Sequence, residues 1–162
     1  MSHVQQPRVI DAPIAPIWEA VSRMGAVQDW HPNVARAVVL TDHDTGIGAS
    51  RRVEFQDGNS LVETVIEESE QRFTTAKMTG SSVLKHAVVT ISTRERSADT
   101  TEVTFSLDYT LKYGPIGWVM DAVMMRRLFH RAFDMALEGL AYHLETGDLV
   151  ADSIPRRSVS VA

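Results

Sequence analysis

The chain of 162 residues contains no cysteine. This absence excludes disulfide bonds, thiolate nucleophiles and cysteine-based zinc sites. Long apolar runs are missing as well, since no stretch approaches the about 18 consecutive apolar residues that predict a membrane-spanning helix. The N-terminal residues 1–7 lack the basic start and apolar run of a signal peptide. We therefore expect no targeting segment, no membrane span and a cytoplasmic location.

Sequence motifs of several catalytic classes are also missing. The chain has no GxSxG, no Walker loop and no GxGxxG, and none of its six histidines has HExxH-like spacing. We therefore expect no cofactor and no metal ion. The formal net charge of −5 gives no overall attraction for phosphate backbones, so nucleic acid is not an expected partner.

The composition is that of one globular domain. Hydrophobic residues make up 44% of the chain and charged residues 23%. A chain of this length can bury a single sizeable core. We assign residues 1–147 to this domain, because Gly147 is a suitable end for its last helix. Residues 148–162, which contain Pro155 and two arginines, are interpreted as a weakly ordered C-terminal tail.

The apolar periodicity predicts a strand, two short helices, six further strands and a long helix. The first strand covers residues 4–10, and the helical pattern covers residues 13–23 and 26–30. Residues 101–111 alternate most regularly, which is typical of a half-buried antiparallel strand. The six consecutive strands are predicted at residues 34–40, 49–55, 61–68, 72–78, 86–94 and 101–111.

The long helix is predicted at residues 116–145, a segment without proline and rich in helix-forming residues. It is the only element large enough to cover one face of six hairpin-connected strands. A sheet that curls around one helix leaves an apolar gap, which we expect near the methionines of the helix and near residues 30–32. The predicted inward stripe of the helix consists of Val119, Ala122, Met125, Phe129, Phe133, Leu137, Leu140 and Leu144.

Several short motifs occur in a familiar order between residues 4 and 145. They are Val9-Ile10-Asp11-Ala12-Pro13, Trp30-His31-Pro32, Gly46-Ile47-Gly48-Ala49 before Arg51, Asp57-Gly58 before Leu61 and Glu63, and Tyr109 before Gly114-Pro115-Ile116-Gly117. With them the sequence resembles the START/Bet v 1-like helix-grip superfamily, and within it the bacterial polyketide cyclase/dehydratase-like proteins. The resemblance implies an α+β helix-grip fold, with a curved antiparallel sheet of about seven strands around the last helix. It also implies a cavity, but no single activity.

Glu63 is the first candidate site residue. If Leu61, Glu63 and Val65 share the concave face, a carboxylate lies in an apolar cavity. Desolvation would then raise its pKa towards that of a useful general base. The alternative is that Glu63 faces outwards while Val62 and Ile66 face inwards. Both faces of this strand carry apolar residues, so the alternation leaves the two arrangements open.

Three further polar or aromatic residues have two interpretations each. His31 either serves as an acid–base or hydrogen-bonding group at the cavity mouth, or caps a turn before proline. Trp30 either stacks on a ligand or anchors its loop. Tyr109 either orients a carbonyl of the ligand or bonds to a backbone group, because a buried phenol needs a partner.

The remaining candidates surround these residues. Arg51 either pairs with Glu63 inside the cavity or, as we favour, lies at the rim of the cavity with the aliphatic part of its side chain packed against the protein. The other predicted ligand-binding residues are apolar, with methionines suited to irregular ligands: Val53, Phe105, Met120 and Met124.

Three functional hypotheses follow. The leading one is binding of a small hydrophobic molecule, such as a lipid, an aromatic polyketide-like compound or an isoprenoid, in the internal cavity. The second is a cyclase or dehydratase in which Glu63, His31 and Tyr109 share the proton transfers. The third is a protein–protein adaptor, with a homodimer formed through the sheet edge or the short helices.

Overall fold

The computed structural model describes residues 1–150 of the chain. Its strands are β1 (Ser2–Ile10), β2 (Val34–Val39), β3 (Ser50–Phe55), β4 (Ser60–Ser69), β5 (Phe73–Thr79), β6 (Leu84–Ser97) and β7 (Thr100–Leu111). Its helices are α1 (Ile14–Ser22), α2 (Val27–Trp30) after a 3₁₀ turn at Met24–Ala26, α3 (Gly114–Met120) and α4 (Arg126–Thr146). A π-helical segment, Asp121–Met125, joins α3 to α4, so residues 114–146 form one long helix.

All seven strands belong to one antiparallel sheet in the order β1-β7-β6-β5-β4-β3-β2. The sheet is curved, and the long helix lies against its concave face. Since β1 pairs with β7, the first strand of the sequence lies at one edge of the sheet, beside the last strand of the sequence. The predicted α+β helix-grip fold is confirmed.

Alternation along β7 builds the concave face. Val103, Phe105, Leu107 and Tyr109 are buried, whereas the residues between them are partly exposed. Leu137 and Leu140 of α4 join Val103 and Phe105 in one core cluster, which also receives residues from α1 and α2, whereas Leu107 and Tyr109 belong to a second cluster. Burying such a side chain contributes about 1.5–3 kcal/mol, so this layer dominates the stability of the fold.

The long helix follows the predicted inward stripe at Met125, Phe129 and Phe133 and at the leucines after them, but not at Val119. Val119 is 55% exposed, and Gly117 and Asp121 are the buried positions of the helix start instead. The π-helical segment is the physical reason, because its wider turns shift the phase of every side chain that precedes it. The predicted inward orientation of Val119 was therefore wrong.

Gly139 fixes the approach of α4 to the segment after α2. A Cβ atom at this position would lie 2.2 Å from the carbonyl oxygen of Trp30 and 2.8 Å from Cδ of Pro32. Only a residue without a side chain permits this distance. The backbone of α4 therefore touches the segment that carries Trp30 and His31.

The chain continues beyond the long helix along the same region. Val150 is buried, and its N–H donates a hydrogen bond to the carbonyl oxygen of Asp29 at 2.9 Å. The rest of the predicted tail, residues 151–162, lies outside the described residues, and the domain limit at residue 147 stays a prediction. Among residues 1–150 no helix has the length and hydropathy needed to cross a bilayer.

Candidate functional site

A cavity of about 770 Å³ lies between the concave sheet and the long helix. This volume falls within the range of about 300–1,000 Å³ that small-molecule sites occupy. The two hairpin turns around Gly58 and Gly80 and the exposed Leu128 surround its open end. The apolar walls come from both layers of the fold and include Val53, Leu61, Ile91, Phe105, Leu107 and Phe133.

A buried ion pair forms the polar part of the cavity wall. Arg51 on β3 and Glu63 on β4 are cross-strand partners, and both side chains are about nine-tenths buried. Oε2 of Glu63 accepts from Nε of Arg51 at 2.6 Å and lies 2.5 Å from its Nη2. Nη1 of Arg51 donates to the carbonyl oxygen of Met24 at 3.0 Å. The pair is thus held from two sides.

The second carboxylate oxygen of Glu63 is the free acceptor of this pair. Oε1 makes no hydrogen bond to any residue among 1–150, while Oε2 takes both contacts with Arg51. Glu63 is buried and lines the cavity, so it faces inwards, which is one of the two arrangements that the sequence left open. Its role in ligand binding stays a prediction. The favoured rim position of Arg51 was wrong, because its guanidinium follows Glu63 into the wall.

His31 contributes a hydrogen-bond donor to the same cavity. Burial lowers the pKa of His31 from 6.5 to about 4, and the charge of Arg51 acts in the same direction. The ring is therefore neutral at pH 7. Nδ1 accepts from the N–H of Asn33 at 3.3 Å, so the proton lies on Nε2, which has no hydrogen-bond partner in the described part of the chain.

Trp30 holds the position of His31. Its indole N–H donates to the carbonyl oxygen of Ala20 at 3.1 Å, and its ring packs edge-on against Phe105 at 5.9 Å. The His31 ring stacks on the indole with 5.7 Å between centroids. Trp30 thus anchors its loop while one part of its surface lines the cavity.

The burial of neutral His31 predicts a pH-dependent stability. The folded-state pKa of about 4 lies below the unfolded value of 6.5, so the unfolded chain binds more protons between these pH values. Stability should fall by up to about 3 kcal/mol as the pH drops from 6.5 to 4. Urea unfolding of the wild type and of His31→Asn across this pH range measures the free energy of unfolding of each. The variant should lack the pH dependence that His31 causes. A His31 ring resonance that titrates near 6.5 in NMR spectra would contradict the prediction.

Tyr109 lies outside the cavity. It is fully buried, its hydroxyl donates to Oδ1 of Asp121, and its ring packs against Phe129 at 4.8 Å. Burial and the bond to Asp121 raise the pKa of Tyr109. Ser2 donates to the other oxygen of Asp121, so this group ties β1, β7 and the long helix together. The proposed convergence of Tyr109 with Glu63 and His31 was therefore wrong.

The two methionines predicted to bind ligand also lie elsewhere. Met124 is 61% exposed on the outer side of the long helix, and Met120 packs partly buried in the cluster around Tyr109. Met125, which belongs to the predicted inward stripe, is the methionine of the long helix that lines the cavity. Asp121 was missed because its partners are distant in sequence, and no local pattern reveals such a contact.

The described residues contain no cluster of three or more histidine, aspartate or glutamate side chains suited to hold a metal ion. The polar groups on the cavity wall include the acceptor Oε1 of Glu63, the donor Nε2–H of His31 and the paired guanidinium of Arg51. Other polar residues also line the cavity: Asn33, Gln56, Asp57, Asn59, Ser60, Ser81 and Ser82. They can orient a hydroxyl or carbonyl group within apolar surroundings.

The family model described as polyketide cyclase/dehydrase and lipid transport matches residues 1–145. The chain belongs to this family. The match covers the whole sheet and nearly all of the long helix, so the cavity is built entirely by the family's domain. No curated protein matches the sequence significantly.

Solved structures of similar shape support this family's fold. A START superfamily protein from Mycobacterium smegmatis has a TM-score of 0.73 and 17% identity, over 88% of this chain and 97% of that one. The protein XoxI from Bacillus cereus has a TM-score of 0.74 and 17% identity, over 90% and 97%. Ginseng major latex-like protein 151 from Panax ginseng has a TM-score of 0.71 and 14% identity, over 88% and 97%. At these identities the likeness concerns the fold alone.

Proposed function

We propose that this protein binds a small, largely apolar organic molecule that carries a hydroxyl or carbonyl group. The observation that supports it is the cavity of about 770 Å³, with apolar walls and a few polar groups. A ligand site usually has this composition, because apolar surface supplies affinity and sparse polar groups supply orientation. An isoprenoid, an aromatic polyketide-like compound or a lipid chain with a polar end fits these requirements.

The polar groups assign an orientation to such a ligand. A ligand hydroxyl donates to Oε1 of Glu63, which the contacts with Arg51 leave free. A ligand carbonyl or ether accepts from Nε2–H of neutral His31. Each unpaired polar group in a dry cavity costs about 1–3 kcal/mol, so a ligand that satisfies both is favoured over a pure hydrocarbon.

Filling the cavity should abolish binding of an uncharged apolar probe. Ala132 lines the cavity from the long helix, and Ala132→Trp places an indole there. We expect N-phenyl-1-naphthylamine to bind the wild type with increased fluorescence, and the variant at least about tenfold more weakly. Ala15→Trp on the exposed side of α1 is the matched control and should bind as the wild type does. Equal binding by both variants would show that the probe uses another surface.

A second candidate is an enzyme of the cyclase or dehydratase type. The observation that favours it is that Glu63 and the neutral His31 ring line one cavity, so a hydrogen-bond acceptor and an N–H donor face the same ligand. Organic extraction and mass spectrometry of the copurified molecule separate the two functions. An unchanged molecule after prolonged incubation with fresh protein supports binding, and a product lighter by one water supports dehydration.

A further inference from the structure

The first half of the long helix has a second apolar face, turned away from the cavity. Ile116 is 71% exposed and Trp118 73% exposed, and Val119, Val123 and Met124 are each more than half exposed. The spacing of residues 116, 119, 123 and 124 keeps four of these side chains on one side of the helix, and Trp118 lies on the flank of this side, next to Met1 and Arg126. We call these five residues the outer face. Monomeric proteins seldom expose so many large apolar side chains together without a partner.

The exposed charges that follow the outer face along the helix are basic up to Arg131, and the next one is the exposed Asp134. Residues 112–133 contain four basic residues and one acid, Asp121, which is buried, so the segment carries +3 within a chain of net charge −5. Arg127 and Arg131 are exposed and have no ionic partner among residues 1–150. A basic, apolar helix surface on an otherwise acidic protein predicts a negatively charged counterpart.

We propose that the outer face docks on the surface of an anionic lipid bilayer. The apolar side chains enter the headgroup and acyl boundary, and Arg127 and Arg131 contact lipid phosphates, as in interfacial amphipathic helices. Trp118 is the residue type that favours this depth. A second copy of the chain is a poorer occupant, because a two-fold contact would bring the same arginines against each other.

The outer face adjoins the cavity. Leu128 is exposed on the helix four residues after Met124, and it also lines the open end of the cavity. Docking therefore brings this opening next to the bilayer. The proposal goes beyond ligand binding and does not depend on it, since docking needs only the exposed side chains and the arginines.

Vesicle sedimentation of the full chain tests the proposal. We expect the protein to sediment with vesicles of equal parts phosphatidylglycerol and phosphatidylcholine at low salt, and only weakly with phosphatidylcholine alone. Trp18 and Trp30 are buried, so brominated lipids should quench the fluorescence of Trp118. No sedimentation with the anionic vesicles, or equal sedimentation with both kinds, would overturn the proposal.

Matched variants separate the apolar and ionic contributions. Trp118→Ser should weaken vesicle binding, whereas Ile47→Ser, at a site 66% exposed outside the outer face, should leave it unchanged. Arg127→Glu with Arg131→Glu should weaken it at least about 25-fold, because each arginine near the surface contributes about fivefold. Arg36→Glu with Arg52→Glu, two exposed arginines of the sheet, is the charge control.

The outcome of these variants decides between occupants. Equal losses in the test and control pairs would show attraction by net charge alone and overturn the assignment to this face. A stable dimer in sedimentation velocity that Trp118→Ser dissociates, together with no vesicle binding, would assign the face to self-association instead. If the protein binds vesicles but not the naphthylamine probe, the docking proposal stands and the proposal of a ligand-binding cavity fails.

Discussion

Replacement of Arg51 by alanine should destabilise the protein by about 3–5 kcal/mol, because Glu63 would be left in a buried wall without its partner. The carbonyl oxygen of Met24 would lose its donor as well. The cost arises from leaving one charge unpaired, and it exceeds the net contribution of the pair itself. Urea unfolding at pH 7 measures the change in the free energy of unfolding.

Two further variants test this explanation. Arg51→Met combined with Glu63→Leu removes both charges, so stability should stay within about 1 kcal/mol of the wild type or increase. Arg96→Ala breaks an exposed pair with Glu102, whose contact is 2.6 Å, and should cost less than about 1 kcal/mol. If Arg51→Ala costs as little as Arg96→Ala, then Glu63 is not held in a dry site.

Gly139→Val should destabilise the protein by about 4 kcal/mol and weaken probe binding in the cavity. The first added carbon would lie 2.2 Å from the carbonyl oxygen of Trp30, and no change of rotamer relieves a clash with backbone. The segment from Trp30 to Pro32 must move away from α4. Trp30 then loses part of its packing, whose complete loss costs about 3–5 kcal/mol for such a side chain.

The neighbouring position provides the control for Gly139→Val. Glu138 is exposed on the same helix, and Glu138→Ala should change stability by less than about 0.5 kcal/mol. Gly139→Ala should lie between the two, since alanine regains about 1 kcal/mol of helix propensity against the same contact. Stability of Gly139→Val equal to that of the wild type would show that α4 does not touch the Trp30 segment.

The fold could be predicted from the sequence because its strongest local patterns agree with its packing. The alternation from Thr101 to Leu111 exists because one face of β7 meets the core, and the structure buries that face throughout. Asp57-Gly58-Asn59 predicts the hairpin between β3 and β4, where Gly58 adopts a φ of 88°. Local sequence and global arrangement require the same geometry at these positions.

The site was less predictable because its contacts are distant or its elements irregular. The orientation of Glu63 depends on cross-strand pairing with Arg51, and β4 also has an irregular register between Val65 and Glu67. Met124 and Val119 were misplaced because the helix is apolar on two sides and changes phase in the π-helical segment. A constant period of 3.6 residues selects the wrong side before that segment.

The pairing of β1 with β7 has a consequence for biosynthesis. Ser2 is opposite Tyr109 in the sheet, so the first strand to leave the ribosome can pair only after the last strand, β7, has been synthesised. β1 is an edge strand whose sheet neighbour is β7, and Trp30 waits longer still for Gly139. Each of these contacts closes a long loop of the chain, and the entropic cost of closing such loops slows folding. Nascent chains stalled before β7 should therefore remain sensitive to protease, and native structure should form only after release.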